Sequence, residues 1–131
     1  MNVTVDTNIL IRAVVQDDAR QAKAASTLLR EATTIAITLP VLCEFVWVLR
    51  SVYGFAAAEL AAAIRSLLAA SNVQVNRTSA EAGLAILEAG GDFADGVIAH
   101  EGKWLGGDVY ASFDKKAVAL LSAQGVLTRV L

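Results

Sequence analysis

Short apolar runs alternate with longer stretches of helical spacing along the whole chain. Asn2 to Val5 reads as a strand, and Ile9, Leu10, Ala13 and Val14 fall on one face of a short helix over Asn8–Val15. Asp17-Asp18 opens a second helix, with a buried stripe of Ala22, Ala25, Leu28 and Leu29 and with Arg20, Lys23 and Arg30 facing water. Thr34 to Thr38 is β-branched and alternating, a second strand. Pro40 suits the first turn of a third helix, capped at Thr38 or Leu39. That helix, Val41 to Arg50, is apolar nearly all round, which predicts burial or a covering partner. Gly54 ends it, and an Ala-rich helix follows from Phe55 to Ala70.

The second half repeats the alternation. Val73 to Val75 is a third strand, and Thr78-Ser79-Ala80-Glu81 has the spacing of a capping box opening a helix to about Ala89. Gly90-Gly91 breaks it, and Asp92 starts a helix from Phe93 to about Lys103. Val109 to Phe113 is a fourth strand ending at Asp114. A last helix carries Ala117, Val118, Leu120 and Leu121, and Val126 to Leu131 forms an edge strand. Strands alternating with helices predict an α/β fold, a mainly parallel sheet with helices on both faces. With no internal repeat and no linker, residues 1–131 are expected to form a single domain.

Composition narrows the classes. At 56% hydrophobic and 18% charged residues the chain is a folded protein, not a disordered one. A formal net charge of −2 offers no global attraction for nucleic acid, so such a partner would need a local basic patch or metal ions. The apolar run from Ala32 stops at Glu44, short of the roughly 20 residues that span a bilayer. The first residues lack the basic start of a signal peptide and carry Asp6 within them. Cys43 is the sole cysteine, so neither an intrachain disulfide nor a multi-cysteine metal site exists. A cytoplasmic location is expected.

Four acids stand in apolar sequence. Asp6 ends the first strand and Asp114 the fourth; Glu44 lies in the apolar helix, and Asp95 in the first turn of the helix after Gly91. Acids in such settings are seldom left unpaired, and nearby cations are few: Arg12, Arg50, Lys115 and Lys116. If the four converged, each pair at about 4 Å would repel by roughly 4 kcal/mol at an effective dielectric near 20. A hard divalent ion with oxygen ligands, Mg²⁺ or Mn²⁺, would relieve that, and metal-assisted phosphodiester hydrolysis is the matching chemistry.

Structural alternatives stand beside these readings. Asp6 and Asp114 could only cap the helices that follow them. Asp92 is spaced as an N-cap, with Asp95 as its third helical position. Glu44 could pair with an arginine. Asn8 and Ser112 are polar neighbours able to support the acids. Arg12, Lys115 and Lys116 could reach substrate phosphates or be plain helix-surface charge. His100, Trp47 and Trp104 read as surface or packing residues, and Cys43 as a core filler.

Four segments in order resemble the PIN-domain ribonucleases, and among them the VapC-type toxins of bacterial toxin–antitoxin modules. They are Val5-Asp6-Thr7-Asn8-Ile9-Leu10, Leu42-Cys43-Glu44-Phe45-Val46, Asp92-Phe93-Ala94-Asp95-Gly96-Val97-Ile98-Ala99 and Ser112-Phe113-Asp114-Lys115-Lys116-Ala117. The resemblance implies a three-layer α/β/α fold with about five parallel strands. It also implies a Mg²⁺- or Mn²⁺-dependent endoribonuclease with Asp6, Glu44, Asp95 and Asp114 as metal-binding acids. Substrates such as tRNA or ribosomal RNA, a cognate antitoxin and a homodimer would follow. The family often has Thr where Ser112 stands, which keeps the hydroxyl. A haloacid-dehalogenase-like phosphatase is the rival enzyme class, but Asn8 stands where its second acid belongs. A non-catalytic metal- or RNA-binding domain, or a receiver-like one, is the non-enzymatic alternative.

Overall fold

The computed structural model describes residues 1–131, which divide into two compact units, Met1–Asn76 and Arg77–Leu131. The first runs β1 (Asn2–Thr4), α1 (Thr7–Val15), α2 (Ala19–Glu31), β2 (Thr34–Ala36), α3 (Leu39–Ser51), α4 (Ala57–Ala69) and β3 (Val73–Gln74). Its strands are all parallel in the order β1-β2-β3, with Val3 opposite Ile35 and Ile35 opposite Val73. Parallel pairing forces a crossover between successive strands, and the helices supply it. Ile35, Phe45, Leu49, Leu60 and Ile64 are among the fully buried side chains of this unit.

Local chemistry explains the boundaries. Asp6 and Asp18 cap α1 and α2, accepting from the amides of Ile9 at 3.3 Å and Gln21 at 3.0 Å. The Asn72 side-chain amide donates to the carbonyls of Leu29 and Ala32, satisfying the open end of α2. Thr38 stands at the N-cap of α3 with Pro40 in its first turn. Gly54 takes a left-handed φ of 71° after α3, and Glu59 accepts from the Ala56 amide at the start of α4.

The second unit runs α5 (Arg77–Glu88), α6 (Phe93–Trp104), β4 (Tyr110–Ser112), α7 (Lys115–Ala123) and β5 (Thr128–Val130). Strands β4 and β5 pair in parallel, with Ala111 opposite Arg129. The expected strands are thus present and parallel, three bonded together in the first unit and two in the second. Helices α5 and α6 touch at their backbones. A Cβ on Gly96 would collide with the Ala82 carbonyl oxygen, and one on Gly83 would stand 2.7 Å from the Phe93 ring. No residue but glycine allows that approach.

Two expectations change. The helix expected to open at Thr78 starts at Arg77, so Thr78-Ser79-Ala80-Glu81 lies inside it and Ser79 is fully buried. Helix α3 is not buried on every side within the chain: Glu44 is exposed and Trp47 is 63% exposed. No helix is long and apolar enough to cross a membrane.

Candidate active-site acids

In the first unit, parallel pairing puts the carboxyl ends of β1 and β2 on one edge, where ligands of open α/β sheets collect. Asp6 follows β1 there, and α3 leaves β2 from the same edge. Asp6, Thr7 and Asn8 therefore share a cavity of about 270 Å³ with Pro40, Val41 and Glu44. Asp6, Asn8 and Glu44 are exposed, so the cavity wall offers two carboxylates and a side-chain amide to solvent.

In the second unit, Asp95 is the third residue of α6 and half-buried, and Asp92 holds the N-cap without its side chain accepting a first-turn amide. Burial pushes the Asp95 carboxyl above its ordinary pKa; the hydrogen bond from Tyr110 opposes this, and the charges of Asp92 and Asp114 add to it. The Tyr110 hydroxyl donates to Oδ1 of Asp95 at 3.1 Å. Burial, then the charge of Asp95, raises the Tyr110 pKa, so its proton stays on the phenol. Asp114 caps α7 by accepting from the Ala117 amide at 3.0 Å, while its own amide donates to Ser112 Oγ at 3.0 Å.

The acids of each unit are thus near one another: Asp6 with Glu44, and Asp95 with Asp114 and Asp92. Neither unit alone gathers three or more acid, histidine or cysteine side chains in a group able to hold a metal ion. Their apolar sequence neighbours suggest more burial than they have. Asp6, Glu44 and Asp114 are exposed, and Asp95 alone is sheltered. Capping is a real part of the roles of Asp6 and Asp114, and it occupies one oxygen of each.

Among the candidate phosphate contacts, Arg12 is already engaged. Its guanidinium pairs with Asp17 at 2.8 Å and donates to Gln21 and Tyr53. Burial works against the Asp17 charge, but hydrogen bonds from Tyr53 and Arg12 outweigh it and hold the carboxyl below its usual pKa. The network ties the α1–α2 junction to Tyr53. Lys115 and Lys116 are exposed in the first turn of α7, where the helix dipole disfavours cations.

Tyr110 went unnoticed in the sequence because it looks like any strand aromatic. The available signal was its period-two spacing from Ser112, which puts both on one face of β4. His100, expected at the surface, is half-buried with Nδ1 3.1 Å from the hydroxyl of buried Ser79. It lines a largely apolar cavity of about 750 Å³ that also takes in Tyr110 but not Asp95.

As donors, the carboxylates and the Asn8 amide oxygen suit a hard divalent cation and not a thiophilic one. No curated protein matches the chain in a sequence comparison. A profile of the PIN domain matches residues 3–120. The match spans both units and all four acids, so the chain belongs to the PIN-domain family, whose members are generally metal-dependent nucleases.

Proposed function

We propose that this protein is a metal-dependent endoribonuclease, the toxin of a toxin–antitoxin pair, with Asp6, Glu44, Asp95 and Asp114 as its metal-binding acids. The observation that carries the reading is the cavity at the carboxyl edge of β1 and β2, where Asp6 and Glu44 stand together with Asn8. Family membership supports the nuclease chemistry, and the all-oxygen donor set supports Mg²⁺ or Mn²⁺. Such an ion, when bound, makes water nucleophilic at neutral pH and stabilises charge on a phosphoryl group.

The chain's own residues have definable tasks. The α1 and α7 caps fix one oxygen of Asp6 and of Asp114, which holds each carboxylate in a set direction. Ser112 holds the turn that presents Asp114, and Asn8 adds a neutral donor beside Asp6 and Glu44. Lys115 and Lys116 stand where the fold gains nothing from cations, which favours a role in meeting RNA phosphate. Asp92 stands at the N-cap of α6, where its negative charge suits the helix dipole. A tRNA or ribosomal RNA substrate, a masking antitoxin, a homodimer and a cytoplasmic location go with this reading.

The deciding experiment incubates purified protein with RNA in Mg²⁺, in Mn²⁺ and in EDTA, beside Asp6→Asn. Cleavage in either metal that EDTA and the variant both remove supports the reading. Cleavage that survives both overturns it, and metal binding without cleavage would favour a non-catalytic domain. For the toxin role, expression alone should arrest growth and co-expression of a neighbouring small gene should restore it.

A further inference from the structure

The three aspartates share one arrangement. In Asp6 and Asp114, Oδ1 accepts a backbone amide of the helix each residue caps. Asp95 lies two residues inside its helix, beyond the N-cap, where no amide serves it that way. Its Oδ1 instead accepts the Tyr110 hydroxyl at 3.1 Å, from β4. The tyrosine thus does for Asp95 what a helix end does for the other two: it occupies one carboxylate oxygen, Oδ1.

An occupied oxygen changes what a carboxylate can offer a cation. Mg²⁺ and Mn²⁺ suit octahedral sites fed by single carboxylate oxygens, whereas Ca²⁺ readily takes both oxygens of one carboxylate. We propose that Tyr110 is a positioning residue that sets metal selectivity, holding Asp95 to one-oxygen ligation and so disfavouring Ca²⁺. This rests on reading Asp95 as a metal-binding acid. It adds that selectivity is imposed by a neutral hydroxyl on a strand, not by the acids themselves. Ser112, two residues along β4, holds the Asp114 turn, so one strand face serves both acids of this unit.

The test is binding, and it needs no RNA. Mn²⁺ binding to the full chain is followed by electron paramagnetic resonance, with Ca²⁺ and Mg²⁺ as competitors, for the wild type and Tyr110→Phe. The phenylalanine keeps the ring and removes only the hydroxyl. Mn²⁺ affinity should fall about tenfold, as when other groups that orient a ligand are lost. Ca²⁺ affinity relative to Mn²⁺ should rise at least about threefold, the scale of one hydrogen bond. Equal Ca²⁺-to-Mn²⁺ ratios in the two proteins, or no Mn²⁺ binding by the wild type, would overturn the proposal.

Should Tyr110→Phe fail to fold, the wild type labelled with ¹³C at tyrosine Cζ decides. Its two tyrosine signals are assigned with Tyr53→Phe, and Mg²⁺ should move the Tyr110 signal and leave that of Tyr53. A Tyr110 signal that ignores saturating Mg²⁺ overturns the proposal. RNA cleavage by the same preparations is scored separately. A protein that shows the selectivity change but cuts no RNA refutes the ribonuclease reading alone.

Discussion

Asp6 of the first unit and Asp95 of the second are held by different means. Asp6 sits at a strand end, is fixed by the Ile9 amide of α1, and shares an open cavity with exposed Glu44. Asp95 is half-buried inside a helix, is fixed by a side chain from another element, and feels the charges of Asp92 and Asp114. A backbone tether comes with the strand-to-helix transition itself. A side-chain tether exists only after α6 and β4 have come together. The first acid should therefore tolerate changes in its surroundings better than the second.

The largest expected effects concern chemistry. On the proposed function, Asp6→Asn and Asp95→Asn should each lower the rate of RNA cleavage by about a hundredfold or more, measured as initial rates in saturating Mg²⁺. If one of the two kept near-wild-type rates, the two settings would differ in role and not only in how they are held.

Next in size is the mount of Asp95. Gly96→Ala forces a methyl group against the Ala82 carbonyl and should cost about 1–3 kcal/mol in urea unfolding. Gly102, also in α6, has open space around it, and Gly102→Ala should be neutral or stabilising. Equal behaviour of the two would show that α5 and α6 do not meet as described.

Caps come third. Replacing Asp114 by Ala should cost about 1 kcal/mol, and Asp6→Ala a similar amount, both measured without metal. Asp95 should respond with the opposite sign. Its pKa is raised in the fold, so the folded state holds the proton more tightly than the unfolded chain. Asp95 then supports folding below its unfolded pKa of 3.8, and that support is lost as pH rises through the raised folded value. Asp95→Asn should therefore melt slightly higher than wild type at neutral pH in EDTA, with the gain vanishing below pH 3.8. A cap-like loss of stability in this variant would erase the contrast.

The smallest effect separates the cations. Lys115→Ala should reduce the salt dependence of RNA binding by about one unit of logarithmic slope, and Arg12→Ala should leave it unchanged. A matching loss in Arg12→Ala would mean that its pairing with Asp17 yields to RNA.

Much of this was visible in the sequence, and the reason is local. Asp6 and Asp114 announce themselves because an apolar run gives way to helical spacing at the acid, and Thr38 with Pro40 marks the start of α3 equally well. Tyr110, Ser79 and His100 carry no such mark, since their partners lie 15 to 21 residues away. Arg12 was ambiguous for the same reason: Asp17 is close by, but Tyr53 is 41 residues off. The capping-box spacing at Thr78 misled because Ser, Thr and Glu are also tolerated inside a helix whose apolar stripe reaches Ala80 and Leu84.

The contact of Gly83 with Gly96 has a further consequence. Gly96 directly follows Asp95, and a Cβ there would meet only main-chain atoms of Ala82 and Gly83, so that acid stands beside a close backbone contact. A contact between backbone atoms has no rotamers of its own to hop between. The carboxylate is indexed like a part clamped to a machine bed, with only its final angle left to Tyr110. Directed changes of metal preference should therefore accumulate on β4, where there is still something to adjust.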